Sequence, residues 1–255
     1  MENKKKKKTQ IDIILPNFNS QEFIAETIKS IIKQSYSNWK LIIIDDNSNK
    51  KTKEILKKFI KNKKIKIYWF KKNQGAGFCR NYGIKKTKSP YIAFIDSDDI
   101  WKKDKLKNQF HFMKKNNYSF SYTYYETFGD KKKIITPPLS FNYSSFIRNT
   151  SIATSTMMVK RKDIKNIKFT NTKICEDYFF KCKLLQKVNY AFGINKSLTK
   201  YRVRKNSLQS SNLRNFFWIW KINKDYNKLN LLENFFSLLS ISINSIKKYG
   251  GKNFF

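Results

Sequence analysis

Histidine is all but missing from this chain of 255 residues; the one present is His111. A multi-histidine metal centre is thereby excluded, while a triad that needs one histidine stays open. His111 lies between Phe110 and Phe112 in a helical pattern and reads as a partly buried structural residue. Three cysteines, Cys79, Cys175 and Cys182, are too few and too scattered for a disulfide scaffold and fit a reducing compartment. Cys79 adjoins Arg80, which would lower a thiol pKa, but a packing role is the simpler reading. No stretch of 18 apolar residues occurs, so no membrane span is predicted. Ile11–Leu15, behind the basic run Lys4–Lys8, is too short for the apolar part of a signal peptide. No Gly-x-x-x-x-Gly-Lys-Ser/Thr segment exists, which argues against a P-loop nucleotidase. Acids are scarce as well: 18 Asp and Glu face 54 Lys and Arg, leaving a net charge of +36.

Hydrophobic residues make up 40% of the chain and aromatic ones 16%, enough for a buried core and too much for a disordered basic tail. The length suits one large domain or a domain with an appendage. Only six of the basic residues are Arg. Lys, Asn and Ile rise together in AT-rich coding sequences, so part of the charge is compositional. Arg is the usual reader of base edges, so no specific nucleic-acid partner is expected. The charge still favours anionic partners: nucleotides, phosphorylated glycans and anionic lipid head groups.

Strand and helix signals alternate over the first hundred residues. Apolar strands are predicted at Ile11–Leu15, Leu41–Ile44, Ile65–Phe70 and Tyr91–Ile95. Between them, Asn19 with Glu22 three residues on predicts a helix start. Helical patterns cover Lys53–Ile60, Gly75–Lys86 and Lys105–Lys115. Unbroken apolar strands in this rhythm predict an α/β fold with a mainly parallel central sheet and helices on both faces. Further on, Ser119–Phe128 and Thr154–Val159 read as strands, Asp177–Val188 as a helix, and Tyr190–Tyr201 as one or two short strands. Leu213–Tyr249 reads as C-terminal helices. The expected organisation is a basic arm over 1–9, two halves of one domain over 10–115 and 116–205, and a helical extension over 206–255.

In such sheets ligands bind beyond the carboxyl ends of the strands. Seven of the 18 acids fall in three clusters: Asp45-Asp46, Asp96-Ser97-Asp98-Asp99 and Glu176-Asp177. The first two follow the second and fourth strands, and Pro16-Asn17-Phe18-Asn19 follows the first. Three carboxylates within four residues repel one another unless a cation lies among them, and oxygen ligands suit Mg²⁺ or Mn²⁺ shared with substrate phosphates. The competing reading is a solvated turn, with Asp99 capping the next helix. Asp45-Asp46 reads either as a turn or as an acceptor for a base or ribose. Glu176-Asp177 reads either as acids at a helix N-terminus or as a general base. Gly75-Ala76-Gly77-Phe78-Cys79-Arg80 has Arg80 where a dinucleotide fingerprint has its third glycine, and it follows the third strand, not the first.

Taken in order, Pro16-Asn17-Phe18-Asn19, Leu41 to Ser48, Asn73-x-Gly75 with Arg80-Asn81-x-Gly83, and Tyr91 to Trp101 resemble the family 2 glycosyltransferases. The match runs from about Ile11 to Leu106; Glu176-Asp177 and Tyr201-Arg202 extend it more weakly. The resemblance implies the glycosyltransferase A fold, of the nucleotide-diphospho-sugar transferase type. It implies a hexosyltransferase-like inverting transfer from a nucleotide-diphosphate donor, with uridine favoured by family habit, to a hydroxyl of a cell-envelope glycan or lipid-linked saccharide. Pro16, Phe18, Asn19, Asp46, Arg80 and Asp96 would then bind the donor nucleotide, with Phe18 against the base and Arg80 facing the nucleotide. Asp96 and Asp98 would form the Asp-x-Asp element for Mn²⁺ or Mg²⁺, with Asp98 the direct ligand. Asp177 would be the catalytic base. Arg204 stands where many relatives have His, and Arg202 and Arg204 are candidates for the diphosphate. A cytoplasmic location is expected. The aromatic, Lys-rich C-terminal helices further suggest peripheral contact with an anionic inner membrane face. The rival reading is an inactive relative serving as a membrane or nucleic-acid-binding module.

Overall fold

The computed structural model describes residues 10–130, 132–204 and 212–249. The basic arm over 1–9, and residues 206–211 and 250–255 of the expected helical extension, lie outside them.

The parallel core consists of β1 (Ile11–Asn17), β2 (Trp39–Asp45), β3 (Ile65–Trp69) and β4 (Tyr91–Phe94), in spatial order β3-β2-β1-β4. Alternate residues of these strands point to opposite faces, and both faces are covered. Ile13, Leu15, Leu41 and Ile43 pack under α1 (Ile24–Ile32), α2 (Lys50–Lys57) and α4 (Lys105–Lys115). Ile14, Ile42, Ile44 and Phe94 pack under α3 (Ala76–Lys86) and the later helices. Two-sided burial is why β1, β2 and β4 read as near-continuous apolar runs, whereas β3, at the edge, is buried mainly at Ile65. Pro16 is tolerated in β1 because β4 stops pairing with it at Ile14, which leaves β2 as its one neighbour.

The sheet continues past β4 with mixed polarity. β9 (Met158–Lys160) pairs antiparallel with both β4 and β6 (Phe120–Gly129). β10 (Ala191–Val203) runs parallel to β6, with register shifts between Ile194 and Thr199, and holds the two-residue β5 (Ile100–Trp101) at its far edge. Short strands β7 (Lys133–Ile135) and β8 (Ser140–Phe141) pair with β6 and β10. One sheet thus joins both halves of the chain. The remaining helices are α5 (Tyr143–Phe146), α6 (Glu176–Val188), α7 (Asn212–Asp225) and α8 (Leu231–Tyr249).

Several local expectations shift. The Asn19 signal is a turn, not a helix cap: Asn19 has φ 46°, and α1 begins at Ile24. Its side-chain oxygen instead accepts from the Asn49 amide at 2.8 Å. The residue preceding α4 is Asp104, and Asp99 lies buried before β5. Thr154–Thr156 is a single 3₁₀ turn ahead of β9, not part of a strand. His111 is exposed on α4. The aromatic run around Phe120, Tyr122 and Tyr125 is buried core.

Candidate active site

The carboxyl ends of β1, β2 and β4 form the floor of the site. Asn17, the last residue of β1, donates to Asp45 Oδ1 at 2.8 Å and to Ser48 Oγ at 3.1 Å. Ser20 Oγ donates back to Asn17 Oδ1. Asp45 Oδ2 accepts from the Ser48 amide at 3.1 Å. All four side chains are buried, and their polar atoms satisfy one another. Asp45 is therefore scaffold. Pro16 is also enclosed, so any part it plays beside a donor is through backbone, not ring contact. Phe18 differs: it is 51% exposed and stands free above the floor.

Asp46 accepts from the backbone amides of Gln74 (2.8 Å, Oδ1) and Gly75 (2.7 Å, Oδ2). These bonds pin the turn in which Gly75, with φ 87°, enters α3. Asp46 is only 3% exposed, and the Cys79 thiol also shares a hydrogen bond with its carboxylate.

One turn into α3 comes Arg80. Its side chain, expected to face a nucleotide, is turned inward in this structure and only 4% exposed. Its two terminal nitrogens donate to Asp96 Oδ1 at 2.6 Å and Glu176 Oε1 at 2.5 Å. Phe169 lies against the guanidinium face. Two carboxylates around one guanidinium explain the inward turn, since a buried carboxylate is costly unless paired. Burial raises the Glu176 carboxyl and Arg80 opposes it. Burial also pushes the Cys79 thiol well up, which overturns the idea that neighbouring Arg80 would activate it.

The Asp96–Asp99 loop carries the second charge cluster. Burial and the nearby Asp96 carboxylate raise Asp98, against the pull of Arg204. Burial, then Asp98 and Asp96, hold Asp99 well above its usual range. Asp99 Oδ1 accepts the Arg202 amide at 2.9 Å, which ties the loop to β10. Arg202 donates from Nε to the Asp98 carbonyl at 2.9 Å and from a terminal nitrogen to Glu26 at 2.6 Å. Its guanidinium also lies over Phe23 and Phe128. Arg202 is thus a fixed brace. Arg204 is not: its side chain is 45% exposed and makes an ion pair with Asp98 Oδ2 at 2.7 Å.

No ready-made cage of three or more His, Cys, Asp or Glu gathers among the described residues. The chemistry nevertheless fits a divalent ion. The Asp98 carboxylate is destabilised by burial and by the neighbouring Asp96 carboxylate, and an accessible cation, Arg204, already answers it. Mg²⁺ and Mn²⁺ commonly take one or two protein carboxylates and complete their shell with phosphates and water.

Asp177 opens α6, directly after Cys175 in left-handed backbone and Glu176. Its Oδ2 accepts from Lys181 Nζ and from Thr154 Oγ1, both at 2.6 Å. Burial alone would raise Asp177, but Lys181, Arg80 and Thr154 win and hold it below the usual carboxylate range. Oδ1 makes no bond among the described residues. One oxygen is anchored and the other is left to act.

The Arg80 bridge brings the Asp96 loop and the Glu176-Asp177 helix start to one place, with Asp46 fixing the turn behind it. This edge-of-sheet arrangement has counterparts. A family model for glycosyl transferase family 2 matches residues 12–183. The chain belongs to that family. A Bacillus subtilis protein named as the teichuronic acid biosynthesis glycosyltransferase TuaG is 31% identical over 246 residues, covering 94% of this chain and 98% of its own. Escherichia coli WfgD, named a UDP-Glc:α-D-GlcNAc-diphosphoundecaprenol β-1,3-glucosyltransferase, is 30% identical over 242 residues, covering 94% of each chain. The crystal structure of Staphylococcus aureus TarS residues 1–349 with UDP-GlcNAc superposes with TM-score 0.72 at 20% identity, over 93% of this chain and 73% of that one. The transferase therefore has the glycosyltransferase A fold. Sequence reasoning missed two of its site residues. Lys181 was legible as a cation four residues after Asp177 on a helix. Thr154 carries no local signal, because only the fold brings it to α6.

Proposed function

We propose that this transferase moves a sugar, with inversion, from a nucleotide-diphosphate donor, UDP-linked by preference, to a hydroxyl of a lipid-linked saccharide. The reading rests on one observation: Arg80 clamps the Asp-x-Asp loop to the helix that carries Asp177. The pyrophosphoryl side of a donor and the base for an acceptor would then share one cleft. Residues 10–115 supply the donor side and 116–205 most of the acceptor side. Phe18 is exposed for stacking on the base, and Asp46 would accept from base N–H groups. Asp96 and Asp98 would hold Mn²⁺ or Mg²⁺, whose chemistry is to stabilise charge on the leaving diphosphate. Arg204 is placed to exchange its partner, releasing Asp98 and gripping diphosphate oxygens.

In the reaction the acceptor oxygen attacks the anomeric carbon, and the sugar–phosphate bond breaks with its electron pair leaving on the diphosphate. The acceptor proton passes to Asp177. A carboxylate of depressed pKa is a weak base towards a resting hydroxyl. It suffices late in the transfer, because the acceptor proton becomes strongly acidic as the new C–O bond forms. A single carboxylate is enough for inversion, since no covalent intermediate needs a second nucleophile. The relative that acts on a diphosphoundecaprenol-linked sugar supports a lipid-linked acceptor.

The test is a thermal-shift panel of UDP, dTDP, GDP and CMP with and without Mn²⁺. We expect a Mn²⁺-dependent rise with a diphosphate, UDP foremost, since a native-state ligand adds RT ln(1 + [L]/Kd). Asp98→Asn should lose it. Asp177→Asn should keep it while sugar transfer falls about 10²–10⁴-fold. Full transfer by either variant would overturn its assigned role.

A further inference from the structure

Helix α8 is built inside out. Its inward side carries buried polar groups beside a little core: Asn234 and Ser237 are each 1% exposed, next to Ile241 at 4%. Its outward side is apolar: Leu232, Phe235, Phe236, Leu239, Ile243 and Ile246 are all between 42% and 71% exposed. These positions recur every three or four residues and form one stripe. On α7, Leu213 and Phe217, one turn apart, are 84% and 60% exposed.

The orientation is fixed by hydrogen bonds. Asn223 of α7 donates to Asn234 and Ser237 of α8, both at 3.1 Å. Asn234 donates to the Trp220 carbonyl at 3.0 Å, and Ser237 to the Ile147 carbonyl at 2.6 Å. Rolling α8 over to hide its leucines and phenylalanines would break this network and strand buried amides, which is costly. The same network reaches the catalytic helix. Tyr178, the residue after Asp177, donates its hydroxyl to Asn223 Oδ1 at 2.7 Å.

We infer that the outer face of α8, with the start of α7, docks on an anionic lipid bilayer and sets Asp177 at a fixed position relative to that surface. An exposed apolar stripe such as that of α8 marks an interaction site. Charge selects the occupant. Lys221, Lys224 and Lys228 stand exposed at the end of α7 and just after it, and Lys247 near the end of α8. A chain of net charge +36 repels a second copy of itself and is drawn to anionic head groups. No described helix is long and apolar enough to cross a membrane, so the contact is with the surface. The inference extends the proposed lipid-linked acceptor: a docked α7–α8 pair would hold the base at the height where such a substrate presents its sugar.

The experiment is co-sedimentation of the full chain with phosphatidylcholine vesicles, with and without phosphatidylglycerol. It compares wild type, a Phe235→Ser/Phe236→Ser/Leu239→Ser variant, and a Lys221→Glu/Lys224→Glu/Lys228→Glu variant. Wild type should bind phosphatidylglycerol vesicles and release them at high salt. The apolar variant should bind about 100-fold more weakly, and the charge variant should lose most of the salt dependence. All three replaced apolar positions are exposed, so folding should survive, as a UDP thermal shift on the same proteins would show. Equal binding by wild type and the apolar variant would overturn the inference. So would absence of vesicle binding by wild type, or a wild-type dimer that the apolar variant turns into a monomer with no change at vesicles. Vesicle binding without any nucleotide shift would leave the docking face standing and sink the donor reading; the reverse pattern would do the opposite.

Discussion

Asp177, the proposed base, shows how two neighbours set the charge state of one carboxylate. Lys181, one helical turn on, and Thr154 both hold Oδ2 at 2.6 Å. Because its folded pKa is depressed, Asp177 stabilises the native state above the ordinary carboxylate range near 4 and loses that contribution only as pH falls below it. Wild type should therefore show no acid limb from Asp177 in kcat/KM between about pH 5 and 8. Lys181→Met removes the strongest opposing charge and leaves burial to raise Asp177. Its acid limb should move to higher pH, and urea denaturation at pH 7 should show a loss of about 1–3 kcal/mol. A lower rate with an unmoved pH profile would make Lys181 merely structural.

At the scale of elements, α3 must lie close on the sheet to deliver Arg80. Gly83 makes that approach possible: a Cβ there would lie 2.7 Å from Ile14 Cγ2 and 3.0 Å from Ile44 Cδ1. Gly83→Ala gains about 1 kcal/mol of helix propensity. It also forces two enclosed isoleucines of β1 and β2 aside, and overpacking of that kind costs about 1–3 kcal/mol. The net effect should be destabilising, with a lower urea midpoint at unchanged slope. An increased midpoint would mean that α3 shifts freely, contrary to the tight seat described here.

For the whole molecule, Arg80 is the tie between the halves. It joins a loop after β4 to the start of α6, two elements 80 residues apart in sequence and parts of one continuous sheet-based body. Arg80→Met would leave the buried Glu176 and the part-buried Asp96 without their shared cation, at a cost of about 3 kcal/mol. Calorimetry should show a lower Tm in one cooperative transition. Adding Asp96→Asn and Glu176→Gln should recover part of the loss, because the stranded charges go. Arg80→Lys should rescue only partly, since a point charge cannot reproduce a two-armed fork.

The sequence by itself determined the parallel core and most of the acidic landmarks. Apolar runs spaced by helical patterns, those of β1, β2 and β4 buried on both faces, leave little freedom in how β1 to β4 and their helices assemble. That assembly puts Asp46 and Asp96 at the carboxyl edge. Local signals were weaker where the chain does two things at once: Asn19 and Asp99 look like helix caps but bond across the fold, to Asn49 and to Arg202. What only tertiary structure decided is which charges meet. Arg80 turns inward because Glu176 comes within reach only once α6 is docked. Thr154 reaches Asp177 through β9 and its preceding turn. The direction of α8 was equally hidden, since an amphipathic pattern specifies two faces and not which of them turns inward. The buried hydrogen bonds of Asn223, Asn234 and Ser237 make that choice, because amides enclosed without partners cost more than apolar side chains left outside.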